Sequence, residues 1–234
     1  MASKAELKRA IDDARKAKNS ADKAIKKLVD VHVPKNAKKA RGSLLDKLRS
    51  ILHRMEERIP LLRKRLEAKR KGGGDKAATA FSKYLGITES PPYSNKGPFP
   101  ISEAQKFIIG YDGVAYCGCV AGYFAIKVGG AKINVKARLA YVPYIAQDAR
   151  AGSNGLKAVS ISSVSRGDLI CFNFDGGVED HVGMALGPVV NGMVDCVEAN
   201  TSPGTSGSQS NGGGIYRRQR PISQVACVAR PDYS

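Results

Sequence analysis

The chain has 234 residues, a formal net charge of +17 and a pI near 9.8. This length accommodates one well-packed domain and a smaller additional unit, since domains usually take roughly 100–200 residues. No run of about 18 uncharged apolar residues occurs, and the first residues lack the apolar stretch of a signal peptide, so we expect synthesis in the cytoplasm without stable membrane insertion.

The excess positive charge lies at one end of the chain. Residues 1–71 hold 23 Lys and Arg against 9 Asp and Glu, a net of +14, whereas residues 72–234 hold 15 against 12, a net of +3. A basic segment of this kind is typical of a solvated helical surface or of a surface that binds an anionic polymer. Residues 1–71 contain no aromatic residue and no motif that reads bases, which disfavours nucleic acid as the partner.

Apolar residues in this basic part repeat with the three-to-four spacing of a helix. The first set is Leu7, Ile11, Ala14, Lys18, Ala21, Ile25 and Leu28, with Lys18 as its one polar member. The second set is Leu44, Leu48, Ile51, Met55, Ile59, Leu62 and Leu66. Pro34 and Asn36 favour a turn between the sets, so residues 1–71 are predicted to form an α-helical hairpin with a coiled-coil-like seam that serves targeting or self-association. Pro60 predicts a kink or a restart in the second helix.

The rest of the chain predicts a second domain of the α+β class. Residues 72–76, in "KGGGDK", are predicted to be a flexible glycine-rich linker. After it, "KAATAFSKYLG", "SEAQKFIIG" and "CGCVAGYFAIKVGG" favour helices. The later runs "DLICFNF", "HVGMALGPVV", "GMVDCVEAN", "GIYRRQR" and "VACVARP" favour short antiparallel strands. Residues 77–234 should therefore pack N-terminal helices on an antiparallel sheet, with "SPGTSGSQSNGGG" as a long mobile loop.

Five cysteines, an odd number, do not suggest a disulfide framework in a chain of this length. Two of them, Cys117 and Cys119, stand one residue apart in "YCGCVAGY", where they are a disulfide, a metal clip or a nucleophile with a neighbour. Zinc needs about four ligands at close spacing, so we predict no metal, and no motif suggests a cofactor. If the second domain is a cysteine hydrolase, its base must be His181, because His32 and His53 both fall in the hairpin.

Four segments in order carry a resemblance to a known family. From about residue 76 to 230 the chain resembles the cysteine- and histidine-dependent amidohydrolase/peptidase (CHAP) domains of bacteriophage and bacterial cell-wall lytic enzymes, which have a papain-like fold. The similar segments are "YCGCVAGY", "RGDLICFNFDG", "DHVGMALG" and "VEANTSPG…NGGGIYRRQR". The loop "TESPPYSN" is similar to one that precedes the nucleophile helix in many phage members. One departure is Tyr116, where the family usually has tryptophan.

The resemblance implies residue roles. It implies Cys117 as nucleophile, His181 as general base and acid, and Glu198 and Asn200 as the groups that orient the imidazole. Spacing leaves open which of these two contacts the ring. Tyr116, Asn95 and Asp180 are candidate substrate-binding residues.

The resemblance also implies a function. It implies a phage-type peptidoglycan hydrolase, either an endolysin or a virion-associated lysin, that cleaves an amide bond of the bacterial cell wall after release or from the virion. The basic hairpin would then favour anionic wall polymers. The alternative from another class is a virion or tail structural protein whose domain binds cell wall without cleaving it.

Overall fold

The computed structural model describes the backbone of residues 4–30, 34–204 and 206–234, and the side chains of these residues except 4–8 and 63–71. The chain forms two compact units, Met1–Lys69 and Arg70–Ser234. In the part that the structure describes, no helix combines the length and the apolar character needed to cross a membrane.

The first unit consists of α1 (Lys4–Asp30) and the first part of α2 (Lys38–Phe81). Ile11 packs against Leu62, and Lys18 forms an ion pair with Glu56 at 3.3 Å, so the two helices run antiparallel. Lys18, the polar member of the predicted seam, thus has a partner on the facing helix.

Two details of this unit differ from the prediction. Leu44 is exposed and Leu45 is buried in its place, so the apolar stripe of α2 begins one residue later than expected. Pro60 lies inside α2, and the helix does not end or restart there. The predicted positions Leu7, Leu66 and His32 lie outside the residues whose side chains are described.

The second unit contains a six-stranded sheet in which every neighbouring pair of strands is antiparallel. The strands are β1 (Leu156–Ala158), β2 (Leu169–Phe172), β3 (His181–Ala185), β4 (Met193–Thr201), β5 (Gly214–Pro221) and β6 (Val225–Pro231). Their order across the sheet is β1-β6-β2-β3-β4-β5. The predicted α+β class is therefore confirmed.

Helices cover one face of this sheet. They are α3 (Ile101–Ile109), α4 (Cys117–Tyr123) with a π-helical turn at Phe124–Val128, and α5 (Val142–Ala151). The main core forms between these helices, the end of α2 and the strand residues that face them. A smaller apolar cluster, which includes Ile170, Phe172 and Cys196, lies on the opposite face.

The predicted flexible linker is wrong, because α2 continues as a helix through residues 72–76. A Cβ atom on Gly73 would lie 2.5 Å from the carbonyl oxygen of Gly129, and one on Gly74 would lie 2.6 Å from that of Arg166. The glycines thus allow the helix to approach neighbouring backbone closely. Tertiary packing overrides their low helix propensity.

Two elements were missed in the sequence. Helix α5 follows Tyr141, with Pro143 in its first turn and Gly152 in the left-handed conformation after its end. Strand β1 has only three residues and pairs with β6 at the edge of the sheet. A strand of three residues has too little periodicity to be recognised in the sequence. Its pairing with β6 makes it a strand.

Candidate active site

Cys117 is the first residue of α4, a helix built from small residues. Tyr116 before it has a non-helical backbone, and the first helical hydrogen bond joins the Val120 amide to the Tyr116 carbonyl at 2.9 Å. The amide groups of the first helical turn have no partner within the helix and carry the positive end of its dipole. Cys117 therefore lies at the end of α4 that carries these amide groups.

The small residues of "CGCVAG" allow this helix to be buried on all sides. A Cβ atom on Gly118 would lie 2.0 Å from the Leu139 carbonyl oxygen, and one on Gly122 would lie 2.7 Å from Leu139 Cδ1. Any larger residue at these two positions would push α4 away from the segment before α5. Helix α4 is thus held in place by close backbone packing.

His181 is the first residue of β3, and its side chain is fully buried. Its Nε2 atom lies 3.0 Å from Oε2 of Glu198 on the neighbouring strand β4. Its Nδ1 atom is buried and has no hydrogen-bond partner among the described residues. Cys117 lies close enough to the imidazole to raise the pKa of His181. Because Nε2 is bonded to Glu198, Nδ1 is the ring atom that can face the Cys117 sulfur.

Gly183 explains how Glu198 reaches the ring. Gly183 pairs with Glu198 across β3 and β4, and a Cβ atom on Gly183 would lie 2.7 Å from Glu198 Cγ. The missing side chain leaves space for the Glu198 side chain to pass over β3 towards His181. The glycine of "HVG" is therefore required by the geometry of this hydrogen bond.

Arg220 on β5 holds the other side of the Glu198 carboxylate. Its Nε donates to Oε1 at 3.0 Å and its Nη2 donates to Oε2 at 2.6 Å. Arg220 is 5% exposed and Glu198 is fully buried, so the pair is shielded from solvent. The sequence did not single out Arg220, because "YRRQR" has the composition of a solvated strand face.

Aromatic side chains enclose the imidazole. The rings of Phe172 and Phe174 lie 6.1 and 5.7 Å from that of His181, measured between centroids. The Arg220 guanidinium lies 4.8 Å from the centroid of Phe174. These rings exclude water from the bonds between Arg220, Glu198 and His181, which strengthens their electrostatic interaction.

The surroundings favour a charged imidazole. Burial alone would lower the pKa of His181, but its contacts with Cys117 and Glu198 outweigh burial and raise that pKa to about 9. Burial likewise opposes ionisation of Glu198, yet the bonds from His181 and Arg220 hold its pKa below the usual range. The ring is thus protonated at neutral pH and lies between the Cys117 side chain and the Glu198 carboxylate.

The other cysteines differ from Cys117. Burial, with a further contribution from Cys117, raises the pKa of Cys119 to about 12. Burial is also the first cause of the raised pKa values of Cys171, Cys196 and Cys227. All five cysteines are free, and the four others are protonated at neutral pH and fill the core.

Asn200 does not contact the imidazole, although it was predicted together with Glu198 to orient it. Its backbone lies in the left-handed region (φ 60°), and the pairing of β4 with β5 shifts register at this point. The bulge turns the side chain towards the following loop, where its Nδ2 donates to Asn211 Oδ1 at 3.2 Å. Glu198 alone of the two orients His181.

The three candidate substrate-binding residues have structural contacts. Tyr116 is fully buried, with Glu89 beside its hydroxyl. The Asn95 carbonyl accepts a hydrogen bond from Gln105 at 2.7 Å. Asp180 accepts one from the Phe174 amide at 3.2 Å, which closes the turn before β3.

The donor set does not resemble a metal centre. Within the described ranges, no group of three or more His, Cys, Asp and Glu side chains is placed to hold a metal ion. Every polar contact described at His181 is with Glu198 or Cys117.

A comparison of the chain with protein-family models matches no family. A search of curated proteins finds no relative. The site is therefore interpreted from its own geometry and from the motifs in the sequence.

Proposed function

We propose that the unit Arg70–Ser234 is a cysteine-dependent amide hydrolase with a papain-like CHAP fold. The observation that carries this proposal is the buried row of Cys117, His181 and Glu198, in which the imidazole lies between a cysteine at a helix start and a carboxylate. This is the arrangement of nucleophile, base and orienting group that acyl transfer requires.

In the proposed reaction, Cys117 and His181 react as a thiolate and an imidazolium, and the thiolate attacks the carbonyl carbon of an amide. The amide groups at the start of α4 stabilise the oxyanion that forms. Protonated His181 then gives its proton to the leaving amine, the C–N bond breaks and an acyl-enzyme remains. Neutral His181 next takes a proton from water, whose oxygen attacks the thioester carbon. The C–S bond then breaks, the acyl group leaves as a carboxylic acid, and the Cys117 thiolate and protonated His181 are restored.

The substrate follows from the resemblance to lytic enzymes. We infer that it is bacterial peptidoglycan, cut between muramic acid and L-alanine or within the peptide, by an endolysin or a virion-associated lysin. The protein would reach the wall after release from the host cell or in the virion. The exposed Lys and Arg residues of the first unit complement anionic wall polymers.

Clearing of purified cell walls by the full chain tests this function. Cys117→Ala and His181→Ala should abolish clearing, whereas Cys119→Ala should retain it, because Cys119 is a protonated packing thiol. Clearing that survives Cys117→Ala would contradict the mechanism. Sedimentation of the intact chain with walls that it does not clear would favour the alternative, a virion structural protein that binds wall.

A second measurement tests the role of the basic unit. Binding of the full chain to wall teichoic acid should weaken steadily as salt rises, since exposed charges are screened over about 10 Å at 0.1 M ionic strength. Equal binding at low and high salt would contradict an electrostatic role for this unit.

A further inference from the structure

Two arginines of β5, which lie three residues apart on the strand, have opposite environments. Arg217 is exposed and pairs with Asp195 at the surface. Arg220 is buried and makes two hydrogen bonds to Glu198. The strand thus presents one arginine to solvent and one to the inner row of the site.

Arg220 makes two further hydrogen bonds. Its Nη1 donates to Gln209 Oε1 at 3.0 Å, and its Nη2 lies 3.3 Å from Thr201 Oγ1. Gln209 belongs to the Ser- and Gly-rich segment after β4, and the same Oε1 accepts a hydrogen bond from Arg218 at 2.9 Å. A glutamine in a segment of low complexity is therefore tied to the buried ion pair.

The hydrogen bonds from Arg220 and His181 determine whether the Glu198 carboxylate is ionised. Glu198 has no solvent contact, so burial favours its neutral form, and only the bonds from His181 and Arg220 keep it ionised. If Arg220 is removed, the buried carboxylate takes up a proton at a higher pH. A neutral Glu198 stabilises the imidazolium less, so Cys117 gives up its proton less readily.

We propose that Arg220 is a positioning residue for the cysteine chemistry, acting through Glu198 on His181, and that Gln209 holds Arg220 in place. This inference rests on the proposed function, because it assumes that Cys117 and His181 react as a pair. It adds two residues to the site, one of them from a segment that the sequence suggested to be a mobile loop.

The test is the alkylation rate of Cys117 by iodoacetamide in the full chain, followed from pH 5 to pH 9 by mass spectrometry of the Cys117 peptide. The variants are Arg220→Gln, Arg220→Lys and Gln209→Ala, with Arg217→Gln as the matched control on the same strand. Circular dichroism and thermal unfolding establish that each variant is folded. Wall clearing is measured in parallel over the same pH range.

Arg220→Gln should shift the acidic limb of the alkylation profile to higher pH and slow alkylation at pH 6 by about tenfold, since one pKa unit changes the ionised fraction tenfold. Arg220→Lys keeps the positive charge, so the acidic limb of its alkylation profile should lie close to the wild-type position. Gln209→Ala should shift the limb less and add nothing in the Arg220→Gln background, because Gln209 acts only through Arg220. Arg217→Gln should match the wild type.

A folded Arg220→Gln variant with the wild-type profile would overturn the proposal, since a purely structural arginine changes stability and not the pH profile. If Arg220→Gln does not fold, wild-type profiles for both Arg220→Lys and Gln209→Ala would overturn it. If the wild type leaves walls intact but the alkylation limb shifts as expected, the substrate assignment fails and the role of Arg220 stands. If Cys117 is alkylated no faster than the four other cysteines, the cysteine–histidine pair itself fails.

Discussion

Substitution of Gly183 by alanine places one methyl group at the crossing of β3 and β4. Its Cβ atom would lie 2.7 Å from Glu198 Cγ and 3.1 Å from Cys196 Cβ. Ordinary carbon–carbon contacts are about 3.5–4.0 Å, so one atom must move by about 1 Å. Glu198 cannot move freely, because His181 and Arg220 both hold its carboxylate.

The expected cost has two parts. Overpacking of a buried site costs about 1–3 kcal/mol, which corresponds to a fall in Tm of roughly 2–12 °C for a chain of this size. A displacement of about 1 Å in a group that orients a catalytic residue costs about a hundredfold in rate. Gly183→Ala should therefore lower both Tm and the rate of wall clearing.

The matched control is Gly187→Ala, since a Cβ atom on Gly187 would meet nothing within 4 Å and that glycine has no left-handed backbone. Thermal unfolding and wall clearing, together with the alkylation rate of Cys117, should separate the two variants. Wild-type Tm and rate in Gly183→Ala would refute the argument that this glycine makes room for the Glu198 side chain.

Three further predictions follow from the contacts described above. Gly73→Ala should destabilise the protein although alanine favours helices, because its Cβ would clash with backbone, whereas Gly72→Ala, with open space around it, should be neutral or stabilise by up to about 1 kcal/mol in thermal unfolding. Equal effects of the two changes would contradict the close packing of the glycine run. Arg230→Gln removes the ion pair between Arg230 and the buried Asp168 carboxylate, so it should lower the free energy of unfolding in urea by about 3–5 kcal/mol. The alkylation profile of Cys117 should stay unchanged. Finally, wall clearing should decline as pH rises through about 9, because the protonated imidazole of His181 exists below its raised pKa and is lost above it; a rate that keeps rising past pH 10 would contradict this assignment.

Periodicity and turn residues predicted the main strands well. The five runs between residues 168 and 231 each contain a strand of the sheet, because each is short and rich in branched or aromatic residues, and most are preceded or followed by a turn that contains glycine. His181 was predicted to be the base of a cysteine hydrolase because the second unit contains no other histidine, and the structure places it beside Cys117 and Glu198.

The features that were missed depend on residues distant in sequence. Arg220 is buried only because Glu198 lies on the same face of the neighbouring strand, where it pairs opposite Tyr216. A period of two from Tyr216 would have placed Arg220 on that face, but the pairing register is not visible in the sequence. The glycine run at 72–74 was misread for the same reason, since its close backbone neighbours, Gly129 and Gly167, are far along the chain.

The inner row of the site alternates in charge when the cysteine is ionised: guanidinium, carboxylate, imidazolium and thiolate. Its members sum to zero, so at distances well beyond the length of the row it adds little to the long-range field, while the chain as a whole carries +17. In the proposed reaction, encounter with an anionic substrate and the bond-breaking step would thus be governed by separate sets of charges. Ionic strength should act on kcat/KM through the encounter and leave kcat nearly constant.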